Sequence, residues 1–269
     1  YEALGLNWVC LPLGVPDQRA LLAFLEVARR LPFVGFNVTM PYKQALAELC
    51  DEVATLAQMA GAVNTVHCVD GRLVGYNTDG RGMLESLSEE AGFDPAGRSI
   101  ALVGAGGAAG AAMTAFILAK AGRLALVNRD VTRAEQLLER IGDRLHGMEV
   151  TVHALDASAG SAIRDADLVV NATPVGMGAA DPSPVPVAWL RPGQVVLDMV
   201  YRPGDTALVR EAAAAGATAV GGLGMLVAQG IDIWAGADRG QLRAPRDVMR
   251  QAAIDSMAGR MSVSGEDGV

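Results

Sequence analysis

The chain has 269 residues, room for about two domains, each with a sizeable core. It carries 22 Lys+Arg against 30 Asp+Glu, a net charge of −8, and this acidic balance argues against a nucleic-acid module, whose mark is a basic patch. With 51% hydrophobic and 19% charged residues the chain is not disordered over most of its length, and 32 glycines point to tight backbone approaches. Three widely spaced cysteines (Cys10, Cys50, Cys68) and three histidines (His67, His146, His153) form neither a CxxC nor an HxxxH pattern. No disulfide framework and no metal site are expected; a reducing cytoplasm and small buried thiols are.

In chain order, the apolar run 8–13 reads as a strand. Residues 18–30 have helical periodicity, with Leu21, Leu22, Leu25 and Ala28 on one side. A strand over 34–39 is closed by Pro41, a single helix is expected over 42–60, with Glu48, Asp51 and Glu52 on its solvated face, and a strand covers 62–69. Asp70-Gly71 signals a hairpin returning through 73–76. A helix over 78–91 ends at Gly92, and 94–97 (Asp-Pro-Ala-Gly) reads as an interdomain hinge. Then strands 99–103, 124–127, 150–155, 168–171, 195–199 and 218–220 alternate with helices 109–120, 132–141, 158–164 and 206–214. That is the α/β pattern of a doubly wound parallel sheet. After Gly222 only helical patterns remain, at 226–234 and 246–257, and the polar tail from Ser262 is expected to fray. The chain opens on Tyr1, and Ala3-Leu4-Gly5-Leu6 reads as the end of a helix, so residues upstream are expected; the opening is no signal peptide.

Two stretches, 100–119 and 212–231, carry no charge and are long enough to span a bilayer. The first even contains Gly106-xxx-Gly110, the spacing of a membrane helix dimer. Their glycines, and Gln229 in the second, argue against spans. The segment Val103-Gly104-Ala105-Gly106-Gly107-Ala108-Ala109-Gly110 contains GxGxxA after an expected strand and before an expected helix. Gly104 permits the sharp turn, Gly106 permits close backbone approach to a pyrophosphate, and a small residue at 109 lets helix pack on strand. At the end of the next strand stand Asn128-Arg129-Asp130, with Arg133 one turn on. Two guanidinium groups favour the 2′-phosphate of NADP; Asp130 leaves NAD open, unless it caps the following helix.

Polar residues also gather where the earlier strands end, at Asn37 to Lys43, Gly61 to Thr65 and Gly75 to Gly80. A Lys and an Asp from different loops can meet there as a proton-transfer pair; Lys43 as a solvated helix-start residue and Asp79 as an N-cap is the alternative. These strings resemble the shikimate dehydrogenase family: Asn-Val-Thr-x-Pro-x-Lys at 37–43, Gly-Ala-Val-Asn-Thr at 61–65, Asn-Thr-Asp-Gly at 77–80, Gly-x-Gly-Gly-Ala at 104–108, Asn-Arg at 128–129, Asn-Ala-Thr-Pro at 171–174, Asp-Met-Val-Tyr at 198–201 and Gly-Leu-Gly-Met-Leu-Val-x-Gln-Gly at 222–230.

The resemblance implies two α/β domains, a substrate domain (1–97 plus 223–269) and a Rossmann-like NADP-binding domain (98–222), with the active site in the cleft between them. It implies reversible NADPH-dependent reduction of 3-dehydroshikimate to shikimate in aromatic amino-acid biosynthesis. Lys43 is then the catalytic acid/base and Asp79 its partner. Thr39, Asn64, Asp79 and Gln229 hold ring hydroxyls, and Tyr201 lies near the carboxylate. Gly104, Ala105, Gly106, Gly107, Ala108, Asn128, Arg129, Asp130, Arg133, Thr173, Gly222 and Met225 serve the cofactor. A cytoplasmic monomer or homodimer is expected, with no nucleic-acid or membrane partner.

The chain departs from the family pattern twice. The Ser-x-Ser that binds the substrate carboxylate is missing, the first Ser being Ser86, and Asp130 stands where NADP-dependent members often have Thr. An NAD-using quinate/shikimate dehydrogenase, an amino-shikimate enzyme and a non-catalytic dinucleotide- or shikimate-binding regulatory protein are the alternatives. The Lys43–Asp79 pair argues against the last. Trp8, Trp189 and Trp234 are expected in cores or between domains, and His67 at the surface or paired.

Overall fold

The computed structural model describes residues 1–237 and 245–263, which build on two separate sheets. The first part holds α1 (Gln18–Arg30), β1 (Gly35–Asn37), α2 (Lys43–Leu49), β2 (Glu52–Val53), α3 (Thr55–Ala60), β3 (Thr65–Val69), β4 (Arg72–Tyr76) and α4 (Asp79–Ala91). The Asp17 side chain caps α1 by accepting the Ala20 N–H, and Arg29 and Arg30 suit its C-terminal dipole. Its buried stripe, Leu21, Leu25 and Ala28, packs with Leu46, Val63, Val66 and Leu73, each large side chain contributing about 1.5–3 kcal/mol. Asp70 and Gly71 both adopt positive φ, as a two-residue hairpin turn demands, and set Val69 opposite Arg72. The sheet order is β1-β3-β4-β2, with β1 antiparallel and β2 parallel to its neighbour.

Two expectations fail here. Residues 8–13 form no strand: the edges of the sheet are β1 and β2, neither pairs with this run, and Val9, Leu11 and Leu13 are exposed. An alternating apolar run without a ladder partner remains extended chain. The helix expected over 42–60 is broken in two. Asp51 accepts the Leu73 N–H at 2.7 Å and pairs with Arg29 at 3.0 Å, which lays Glu52–Val53 beside Val74 and Gly75. Glu52 is therefore a strand residue and Asp51 the bend before it, and neither lies on a helix face.

The second part holds β5 (Ser99–Val103), α5 (Gly107–Leu118), β6 (Arg123–Asn128), α6 (Val131–Ile141), β7 (Glu149–Ala154), α7 (Ala159–Asp165), β8 (Leu168–Asn171), β9 (Val195–Asp198), α8 (Ala207–Ala214), β10 (Thr218–Val220), α9 (Gly222–Ala237) and α10 (Arg246–Val263). All six expected strands are present and every pairing is parallel, in the order β10-β9-β8-β5-β6-β7. The order reverses between β5 and β8, which opens a crevice at their C-terminal ends. Both strands are buried throughout, between one core that includes Phe116, Leu126 and Leu137 and another that includes Ile163, Val169 and Leu208. Helix α9 starts before the expected 226, and α10 runs past 257. The expected frayed tail begins inside α10, and residues 264–269 lie outside the described part, as does the side chain of Trp234. Trp189 is half-buried against Gly160, and Trp8 lies edge-on to Tyr1.

Glycines close the seam between the two sheets. A Cβ on Gly110 of α5 would collide with the Ala60 carbonyl of α3, and one on Gly80 of α4 would lie 2.6 Å from the Ala111 carbonyl. A Cβ on Gly82 would lie 2.6 Å from the Gln229 N–H of α9, which returns to the first unit. The linker 94–97 is tied to the turn after α5 by Gly97 N–H to Lys120 O and by the Ala96–Ala121 bridge. Among the described residues no helix is long and apolar enough to cross a membrane; residues 100–119 are β5, its loop and α5. The cysteines differ from expectation. Cys10 is exposed, and Cys50 and Cys68 are half-buried; burial pushes the Cys50 thiol up to about 11.

Candidate active site

Three strand ends of the small sheet converge. After β1, the chain passes Thr39 and a cis Met40–Pro41 bond to Lys43, the first residue of α2. Asn64, just before β3, is pinned on both sides: its N–H donates to Tyr76 O and its carbonyl accepts the Val38 N–H. After β4, Asn77 accepts the Asp79 N–H on its side-chain oxygen and donates its amide to Ala62 O. This sets Asp79 in the first turn of α4, where the helix dipole favours a carboxylate.

Lys43 Nζ donates to Asp79 Oδ2 at 2.7 Å. Asn64 Nδ2 donates to Asp79 Oδ1 at 2.8 Å, to Thr78 Oγ1 at 3.0 Å and to Gln229 Oε1 at 3.2 Å. The Asn64 carbonyl oxygen in turn accepts the Thr78 N–H and the Thr65 hydroxyl. Asn64 and Asp79 are almost fully buried, whereas the Lys43 side chain keeps 21% exposure. The charged pair is thus satisfied from behind and accessible in front, as a proton-transfer group requires. The solvated-lysine and N-cap alternatives do not hold, since Thr78 occupies the cap position.

The large sheet meets this cluster at the start of α5. Gly104 has φ +121°, a conformation open to glycine, and a Cβ there would lie 3.0 Å from the Ala172 carbonyl across the crevice. Gly106 is the N-cap without a side-chain cap, with open space in front of it. The first N–H groups of α5 therefore have no partner within the helix. A Cβ on Gly107 would lie 3.0 Å from Ala62 Cβ and 3.7 Å from Lys43 Cβ, so the glycine loop lies beside the start of the lysine helix. Ala105 lies in the loop, Ala108 in the first turn of α5, and Ala109 is a buried residue of α5.

At the end of β6, Asn128 Nδ2 donates to Asp130 O. Asp130 caps α6, accepting the Thr132 N–H at 3.1 Å, and Arg133 lies 3.7 Å from its carboxylate. Arg129 is exposed and has no side-chain partner among the described residues. Free N–H groups, open space and an unpaired guanidinium form a donor set that fits a dinucleotide bearing a ribose phosphate.

The loops after β8 and β9 complete the wall. Asn171 and Asp198 are fully buried and bonded at 2.8 Å. Asn171 also accepts the Thr173 N–H and hydroxyl. Burial pushes the Asp198 carboxyl above its ordinary value, opposed by hydrogen bonds from Thr206, Val200 and Asn171.

A family-wide sequence pattern described as the shikimate dehydrogenase substrate binding domain matches residues 1–66, and one for shikimate / quinate 5-dehydrogenase matches residues 87–176. The shikimate dehydrogenase (NADP(+)) of Methanopyrus kandleri is 41% identical over 263 residues, 96% of this chain and 88% of that protein. The chain belongs to the shikimate dehydrogenase family. Two solved members superpose well. The Thermus thermophilus enzyme in complex with NADP(H) and shikimate has a TM-score of 0.75 at 36% identity, over 88% of this chain and 84% of that one. The Listeria monocytogenes enzyme in complex with shikimate and NAD has a TM-score of 0.83 at 31% identity, over 93% and 88%. The two-domain α/β expectation stands.

Of the residues singled out from sequence, Lys43, Asn64, Asp79 and Gln229 form one hydrogen-bonded cluster. Thr39 is exposed on the loop leading to Lys43, and no bond joins its side chain to the cluster among the described residues. Tyr201 is 51% exposed beyond β9. Gly222 packs under the Met199 and Val200 carbonyls, and Met225 is part of the large core. His67 is buried against the Tyr76 ring. Sequence reading passed over Thr78, which bridges Asn64 and Gln229 at 3.3 Å from the latter, and Asn77, the turn residue behind Asp79. Their position in an Asn-Thr-Asp string opening a helix was the available signal.

Proposed function

We propose that this chain catalyses the reversible NADP-dependent reduction of 3-dehydroshikimate to shikimate. Residues 1–97 with 223–269 serve as the substrate domain and 98–222 as the NADP-binding domain. The observation that carries the reading is the Lys43–Asp79 pair, 2.7 Å apart, at the starts of α2 and α4 and beside the glycine loop that opens α5. When bound, NADP supplies the nicotinamide that exchanges hydride with the ring carbon. Lys43 Nζ gives the proton to the ketone oxygen, or takes it from the hydroxyl in the reverse direction. Asp79 holds the ammonium and, with Thr39, Asn64 and Gln229, orients the ring hydroxyls. Such a buried polar clamp rejects analogues that lack a hydroxyl, because its groups would be left unpaired. Tyr201 stands toward the substrate carboxylate.

Gly104, Ala105, Gly106, Gly107 and Ala108 receive the pyrophosphate, Asn128, Arg129, Asp130 and Arg133 the adenosine ribose and its phosphate, and Thr173, Gly222 and Met225 border the nicotinamide. The protein works as a cytoplasmic monomer or homodimer.

A second reading, use of NAD, is favoured by the Listeria relative in complex with NAD; Asp130, engaged as the cap of α6, stands beside Arg133. Nicotinamide absorbance decides. Shikimate or quinate is offered with NADP⁺ or NAD⁺. Shikimate with NADP⁺ is expected to be turned over about tenfold more efficiently than with NAD⁺. Preference for NAD⁺ or for quinate promotes the second reading, and silence in all four mixtures from folded protein rejects both.

A further inference from the structure

The mechanism above makes no use of Asp198, yet this carboxylate is fully enclosed at the C-terminal end of β9, beside the crevice where the strand order reverses. Its oxygens meet donors only. Oδ1 accepts from Asn171 Nδ2 at 2.8 Å and from the Val200 N–H at 3.0 Å; Oδ2 accepts from Thr206 Oγ1 at 2.6 Å. An ionised carboxylate satisfies this set, whereas a primary amide turns an N–H toward one of the donors. No cation is among these contacts, and a buried carboxylate without one lowers stability, so packing alone does not account for it.

Each donor leads to a different piece of the cofactor-side wall. Asn171 turns its carbonyl oxygen to the Thr173 N–H at 3.0 Å and hydroxyl at 2.6 Å. The Val200 carbonyl accepts the Gly222 N–H at 3.3 Å, at the start of α9. Thr206 caps α8 through the Val209 N–H. One side chain thus ties together three chain segments that leave the sheet at its active end.

We propose that Asp198 is a positioning residue of the dehydrogenase reaction, fixing Thr173 through Asn171 and Gly222 through Val200 against the nicotinamide end of the cofactor. This rests on the function proposed above and deepens it. Asp198 touches neither substrate nor Lys43; it acts through the loops it holds.

The test compares the parent with Asp198→Asn, Thr206→Val and Thr206→Ser, using steady-state kinetics in both substrates and amide hydrogen exchange. In Asp198→Asn, KM for NADP⁺ is expected to rise about tenfold and kcat to fall about 10²-fold. KM for shikimate stays within about twofold, because Lys43, Asn64 and Asp79 are set by the other sheet. Thr206→Val moves the same constants by less, and Thr206→Ser, which keeps the hydroxyl, restores them. Exchange protection is lost at Thr173 and Val200 and retained along β5. If Asp198→Asn does not fold, the Thr206 pair carries the decision. The inference is overturned by folded variants with both constants for NADP⁺ within about twofold of the parent, or by equal losses toward shikimate and NADP⁺ with exchange raised throughout. A parent that turns over no shikimate overturns the proposed function as well; an active parent with indifferent variants overturns this inference alone.

Discussion

The two sheets meet the same cleft with different materials. The six-stranded sheet is wholly parallel, and β5 and β8 are buried from end to end between two cores. What it brings to the cleft is largely backbone: the free N–H groups of α5 and a loop shaped by Gly104 and Gly106. The four-stranded sheet is mixed and small, with short edges at β1 and β2. It brings side chains, Lys43, Asn64, Thr78 and Asp79, locked in one hydrogen-bonded cluster. Backbone donors recognise an anion whatever side chains surround them, while proton transfer needs particular groups at particular distances. Changes on the small sheet should therefore strike the chemical step, and changes on the large sheet should strike cofactor affinity.

The largest effect should come from Lys43→Ala, with kcat reduced by about 10²–10⁴-fold and the thermal midpoint lowered, because the buried Asp79 carboxylate loses its cation. Activity within a few-fold of the parent would break the assignment of proton transfer to the small sheet. Next, Arg129→Ala combined with Arg133→Ala should raise KM for NADP⁺ about tenfold while leaving KM for NAD⁺ nearly constant. Equal losses toward the two dinucleotides would show that these guanidinium groups do not read the 2′-phosphate.

The smallest effect tests the far end of the large sheet. Asp167 accepts the Ser99 N–H and hydroxyl, both at 2.9 Å, and the Ser99 N–H holds its carboxyl below the ordinary carboxylate value. A lowered folded pKa means that this stabilisation is present above pH 3.8, the unfolded value, and is lost as pH falls through the folded one. Asp167→Ala should cost about 1 kcal/mol at pH 7 by urea unfolding, and the gap to the parent should close in strong acid, with kcat unaffected. A gap that persists in acid would rule out the carboxylate as its source.

The same contrast governs what can be read from the sequence. The strands of the large sheet are unbroken apolar runs between turn signals, each followed by a helix, so local pattern and tertiary position agree. In the small sheet they disagree. Residues 42–60 are helical by pattern, but Asp51 turns out to accept the Leu73 N–H from a strand more than twenty residues on, and that long-range bond breaks the helix. Residues 8–13 have strand character, and only the sheet order shows that no partner pairs with them. Lys43, Asn64, Asp79 and Gln229 were legible through strings the family shares; that Asn64 sits between Asp79 and Gln229 was not, because it depends on α9 folding back on α4. Asp130 carries two compatible readings in sequence, and the cap on Thr132 identifies one of them.

The glycine contacts around α5 have a consequence for modular inheritance. Gly110 rests on the Ala60 carbonyl, and a Cβ on Gly80 would lie 2.6 Å from the Ala111 carbonyl, so the helix that the glycine loop opens is seated by residues of the other half. Nine consecutive residues of α5, Ala109 to Ile117, are buried, and part of that burial is supplied from across the seam. The six-stranded half excised from this chain would leave an alanine- and glycine-rich face uncovered. Transplanted beside a foreign four-stranded half, it would need a seat of the same narrow width. Recombination between distant relatives should therefore succeed only where the small residues on both sides of the seam travel together.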